Sequence, residues 1–176
     1  MREVLRLRVK DCRKGAVGGT FSLLHRGHRL LLSYAALNSE RLLIGVTSDE
    51  YAQSRKTHPV EPFELRALSV LLYVLTVNPE VVVEVVPIDD AYGPAVVDPE
   101  LDCIFVSEET LAGALAVNLV RRLRGLKPLK IHSVEVILHE GGVKLSSTLL
   151  WKKIPAADTG SYHLNAKRHE DEPGEK

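Results

Sequence analysis

An apolar strand end, Gly15-Ala16-Val17, runs into Gly18-Gly19-Thr20-Phe21 and then, past Ser22-Leu23-Leu24, into His25-Arg26-Gly27-His28 and a leucine-rich segment. This order demands a strand, a tight turn and a helix in direct succession, with every unusual residue at the junction. Glycine permits φ > 0 and a close backbone approach to a ligand. The start of a helix adds unpaired N–H groups and a positive dipole end, a setting suited to phosphate. Histidines three apart share the first helical turn. The string therefore reads as a nucleotide site, with polyphosphate on backbone amides and imidazoles near a reacting phosphorus. It is not a GxxxxGK[ST] loop, because no Lys-Ser or Lys-Thr follows the glycines. A zinc site would need a third ligand, and no CxxC or HExxH accompanies His25 and His28.

The rest of the chain supplies the frame. Short apolar runs at 42–46, 81–86, 103–106 and 131–138 alternate with helical stretches after His28, from 61, from about 111 to 124, and from 148 to 154. Residues 4–9 and 15–17 read as extended lead-ins to the glycines. Alternation of this kind predicts an α/β fold with a doubly wound parallel sheet. Ligands of such sheets bind beyond the strand carboxyl ends, where strand order reverses. The loops 18–28, 47–57, 89–94 and 107–110 all follow predicted strands, so one composite site is expected. Thr47-Ser48-Asp49-Glu50 reads as a capped short helix, with Thr47 able to line the pocket. We expect one domain over 1–154 and a flexible polar tail over 155–176.

Lys plus Arg and Asp plus Glu number 23 each, so no net field favours nucleic acid or an anionic membrane. No apolar run is long enough to span a bilayer, and the N-terminus has no signal-peptide core. A cytoplasmic protein is the expectation. Cys12 and Cys103 stand isolated, without metal or redox spacing, and are not expected to form a disulfide framework.

Gly18 to His28 resembles the GGTFDxxHxGH signature of the nucleotidyltransferase superfamily. Gly142-Val143-Lys144-Leu145-Ser146-Ser147-Thr148 resembles its ISSTxIR element, with hydroxyls placed to cap a helix or bind phosphate. Two departures stand out. Ser22 replaces the acidic residue of the signature, removing a carboxylate expected to fix the turn. Trp151 stands where an arginine is usual, so Lys152, Lys153 or a distant Arg121 or Arg122 would have to supply the cation. The ordered strings Gly-Val-Thr-Ser-Asp-Glu (45–50), Glu-Pro-Phe-Glu-Leu-Arg (61–66), Tyr-Gly-Pro-Ala (92–95) with Asp98, Val-Ser-Glu-Glu-Thr (106–110), Asn118 with Arg121, and Gly-Leu-Lys-Pro-Leu (125–129) narrow the likeness. Over roughly 15–152 they resemble phosphopantetheine adenylyltransferases of the archaeal and eukaryotic type.

That resemblance implies transfer of AMP from ATP to 4′-phosphopantetheine, giving dephospho-coenzyme A and pyrophosphate, with Mg²⁺ carried mainly by the triphosphate. It implies nucleotide contacts from Gly18, Gly19, Thr20, Phe21, His25, Gly27, His28, Ser107, Asn118, Gly142, Ser146, Ser147 and Thr148. Thr20, Thr47 and Lys56 would meet the acceptor, and His28 and Lys56 would carry the catalysis. Arg55 and Lys56, a basic pair, read equally as solvated surface. Sister enzymes that use CTP with a phospho-alcohol, or ATP with FMN or NMN, share the glycine and histidine motifs. A non-catalytic nucleotide-binding protein is the rival of another class. A monomer without nucleic-acid or membrane partners is expected.

Overall fold

A computed structural model describes residues 10–134. Five parallel strands form one sheet: β1 (Cys12–Gly19), β2 (Ser39–Thr47), β3 (Val82–Ile88), β4 (Cys103–Ser107) and β5 (Lys130–Val134). Their spatial order is β3-β2-β1-β4-β5. The chain thus winds outward from β1 in one direction and resumes at β4 in the other, so the reversal falls between β1 and β4. The sequence expectation of a doubly wound parallel sheet holds. The predicted segments at 4–9 and 148–154, the last residues of the 131–138 strand and the tail at 155–176 lie outside the described residues.

Strand alternation divides the apolar residues between two faces. Val17, Leu42, Ile44 and Phe105 point to the layer of α1 (Arg26–Asn38) and α3 (Phe63–Val77), where they pack with Leu32, Ala35, Val70 and Val74. Ala16, Leu43, Ile104 and Val106 point to the opposite layer, built by α4 (Leu111–Leu123) and the 3-10 turn Gly93–Val96. Short α2 (Asp49–Arg55) follows β2, capped by the Ser48 hydroxyl accepting from the Tyr51 N–H at 3.2 Å. The capped short helix read from the sequence is therefore present, although Arg55 closes it and only Lys56 begins the loop. Gly125, at φ 73°, ends α4 as its residue type requires.

The cysteines correct the sequence reading. Cys12 and Cys103 are joined in a disulfide across 91 residues of chain, with Cα atoms 5.9 Å apart. They begin the neighbouring strands β1 and β4 at the amino ends of the sheet, a proximity that linear spacing does not reveal. Arg121 is a second correction. It is fully buried, donating to the carbonyls of Lys127, Ala95 and Asp98 at 2.7–2.9 Å. Its guanidinium ties α4 to the loop before β4 and is not the phosphate cation considered in place of an arginine at Trp151.

Candidate active site

A cleft of about 600 Å³ opens where the strand order reverses. Its floor is Ala16 to Thr20 from β1 and its continuation, Gly45 and Thr47 from β2, and Ile104 to Val106 from β4. Tyr51, Arg55 and Lys56 form one wall, and Ile88, Tyr92, Pro94, Gly113 and Val117 form the apolar remainder. The loops singled out in the sequence do converge here.

The turn after Gly19 is built differently from the expectation. Positive φ falls on Phe21 (54°) and Leu23 (51°), the only non-glycine cases among the described residues, and not on Gly18 or Gly19. Each left-handed side chain costs roughly 1–2 kcal/mol, so surrounding contacts must hold the turn. Phe21 is buried, and its ring, rather than facing the cleft, meets the His28 ring edge-on with centroids 5.3 Å apart. A side chain at Gly19 would strike that ring at 3.1 Å, so the glycine serves packing at this point.

His25 caps α1, its Nδ1 accepting the Gly27 N–H at 3.1 Å. That bond places the neutral ring's proton on Nε2, which makes His25 a hydrogen-bond donor there. Gly27 explains itself: a Cβ would lie 3.0 Å from the His25 ring. His28 stacks on His25 with centroids 3.7 Å apart, and its buried Nδ1 has no hydrogen-bond partner. Burial, then the charges of Lys56 and Arg29, push His25 down to about 4. Burial, then His25 and Lys56, hold His28 well below the ordinary histidine range. Both imidazoles are thus held neutral at pH 7, able to donate a hydrogen bond but carrying no standing charge.

Lys56 lines the cleft, and its charge is felt by both rings. Arg55 is engaged elsewhere, with its guanidinium 3.0 Å from the Tyr51 hydroxyl and 5.4 Å from the centre of that ring. Thr47 lines the cleft and is buried, its hydroxyl accepting from Arg66 at 3.2 Å and keeping its own proton to donate. Arg66, 1% exposed, also donates to the carbonyls of Thr20 and Thr47 and to Asp49. It ties the ends of β1 and β2 together. The sequence marked Arg66 only as part of a string, because its role depends on three separate turns meeting.

Two candidate residues stand apart. Asn118 spends both amide atoms on Leu129, at 2.7 and 2.9 Å, and is not part of the cleft lining. Ser107 caps the turn Glu108–Thr110 in a reciprocal bond pair with Thr110, and it is Thr110 that lines the cleft. Gly142, Ser146, Ser147, Thr148, Trp151, Lys152 and Lys153 lie outside the described residues.

Comparison with known proteins agrees with this geometry. Residues 16–153 match the cytidylyltransferase-like family, and the chain belongs to it. Within that class it is similar to the phosphopantetheine adenylyltransferase of Methanopyrus kandleri, 44% identical over 138 residues covering 78% of this chain and 88% of that protein. The Saccharomyces cerevisiae phosphopantetheine adenylyltransferase is 41% identical over 139 residues, which cover 76% of this chain and 46% of that protein. Among solved structures, an Archaeoglobus fulgidus protein superposes with a TM-score of 0.61 at 34% identity, covering 70% of this chain and 99% of that one. Pantothenate synthetase from Thermus thermophilus, at a TM-score of 0.53 and 17% identity over 86% of this chain and 65% of that one, shares the fold.

Proposed function

We propose that this chain is the adenylyltransferase of coenzyme A synthesis that joins AMP from ATP to 4′-phosphopantetheine. The observation that carries the residue roles is convergence. Lys56, a cleft-lining residue in the loop after α2, bears electrostatically on the two stacked histidines at the start of α1, and Gly18 to Thr20, whose turn leads to those histidines, line the same cleft. The cleft lining combines the Gly18–Thr20 backbone and the Lys56 cation with an apolar part from Ile88, Pro94, Gly113 and Val117.

A phosphate oxygen of the acceptor attacks the α-phosphorus of ATP, one P–O bond forms, and the bond to pyrophosphate breaks. The protein's contribution is positioning and electrostatic stabilisation. His25 Nε2–H and His28 donate to the triphosphate, and His28 follows the charge that develops in transfer. Lys56 offsets repulsion between the incoming phosphate and ATP, and Thr47 orients the acceptor. Among the described residues the acidic ones lining the cleft are Asp90 and Glu109, and Asp90 already accepts from the N–H groups of Tyr92 and Gly93. Neutral and cationic donors at the histidine end fit phosphate oxygens, so Mg²⁺ belongs with the nucleotide and serves to spread its charge. The protein acts as a cytoplasmic monomer in this reading. Among the described residues no helix is long and apolar enough to cross a membrane.

Pyrophosphate release tests the reading, with ATP or CTP against 4′-phosphopantetheine, FMN, NMN and phosphocholine. Turnover confined to ATP with 4′-phosphopantetheine is expected. Selective turnover of another pair would assign a sister activity, and binding without turnover would leave a nucleotide-binding protein.

A further inference from the structure

The turn that carries Thr20 and leads to His28 is held by a group from a different element. Glu61, 2% exposed and just before α3, points its carboxylate at the segment between the two left-handed residues. Its Oε2 accepts from the Ser22 hydroxyl at 2.5 Å, and its Oε1 accepts from the Leu23 N–H at 2.7 Å. Its own carbonyl accepts from Arg66 Nε at 2.6 Å, and Arg66 in turn donates to the Thr20 carbonyl at 3.0 Å. Ser22 is fully buried, so no water competes for its hydroxyl. From this frame Phe21 reaches the His28 ring.

We propose that Glu61 is a positioning residue for AMP transfer, its buried carboxylate supplying across space the acid that position 22 lacks and fixing the turn that aims His28. The inference rests on the transferase reading above. A carboxylate has acceptors only, and here both oxygens meet donors. A second carboxylate at position 22 would face Glu61 at hydrogen-bond distance in a dry setting, where like charges cannot both remain ionised. In this chain Ser22 and Glu61 therefore act as a donor–acceptor pair.

The experiment measures kcat, KM for ATP, ATP affinity and melting temperature for the full chain and for single and paired variants. Ser22→Asn and Ser22→Asp add the same volume and differ in charge, so their ratio isolates the conflict with Glu61. Ser22→Asp is expected to turn over at least about tenfold more slowly than Ser22→Asn, a difference of about 1.4 kcal/mol in barrier. Adding Glu61→Gln to Ser22→Asp should recover most of that loss. In the unaltered background, Glu61→Gln should stay within about threefold of wild type, because the Ser22 hydroxyl can rotate to accept. Glu61→Ala should lose about 100-fold in kcat, the scale of an ångström-sized misplacement, with little change in KM for ATP. Equal turnover of the Asp and Asn variants overturns the proposal, as does wild-type kcat in Glu61→Ala. If Glu61→Ala does not fold, the Ser22 pair and its rescue decide. An inactive wild type refutes the transferase reading itself, whereas an active wild type with indifferent variants refutes only the role of Glu61.

Discussion

Acidification of the ligand-free protein should weaken it through His25. The folded state holds this ring down to about 4, through burial first and then Lys56 and Arg29. The unfolded chain restores a value near 6.5. Above that value both states are neutral and the contribution is complete. Between the two values the unfolded state binds the extra proton, so stability falls as pH falls. By pH 4.5 the loss from this one ring is about 2.5 kcal/mol, and His28 adds to it in the same direction. Urea unfolding at pH 7.0, 6.0, 5.0 and 4.5 would be compared between wild type and His25→Gln, which does not titrate. The stability difference between the two should shrink by about 2–3 kcal/mol across that range. A difference that stays constant with pH would show that His25 protonates freely in the folded protein, and the neutral-donor assignment would fail. Saturating ATP should flatten the wild-type profile, since a triphosphate beside the ring favours its proton.

Other outcomes are equally direct. His28→Ala should lose on the order of 10²–10³ in kcat by steady-state kinetics, and its melting temperature should fall because the ring's stack on His25 and its edge contact with Phe21 are lost. Retained turnover would leave that histidine structural. Lys56→Ala should raise KM for the phospho-acceptor far more than for ATP, and Arg55→Ala should not, because Tyr51 already engages that guanidinium. Steady-state kinetics with each substrate varied would decide, and an acceptor-selective loss in Arg55→Ala would reverse the assignment. Reduction of the Cys12–Cys103 bond, which closes 91 residues, should cost roughly 4.5 kcal/mol of unfolding free energy. Urea midpoints with and without a reductant, with thiols counted, measure this, and coincident midpoints would refute it.

The sheet and its reversal were legible because apolar runs and turn residues repeat in the order that a doubly wound fold requires. The neighbourhood of His25, Gly27, Thr47 and Lys56 was legible too, since all four stand at the carboxyl ends of β1 and β2 or in the segments that lead on from them. What sequence could not give is pairing across distance. The turn was expected to bend at its glycines, yet Phe21 and Leu23 take the left-handed positions because Glu61, 38 residues beyond Leu23, holds them. Asn118 was expected at the nucleotide because the family resemblance implied it, and Arg121 was considered only as a distant cation in place of the arginine absent at Trp151. Both are instead absorbed by backbone carbonyls and amides of the loops that frame the cleft. Cys12 and Cys103 became neighbours only when β4 docked beside β1.

That last bond turns most of the site into part of a closed ring. Gly18 to Thr20, both histidines, Thr47, Glu61, Arg66 and Tyr92 all lie between the two cysteines. A protease that cuts the exposed stretch after Arg55 would therefore produce two fragments that travel as one molecule until a reductant is added. The first carries the glycine turn and the histidines, and the second carries Glu61 and Arg66, which hold that turn in place. The enzyme can be cut open without being taken apart, and its two half-sites can be labelled or re-ligated while the strands that flank the cleft stay joined.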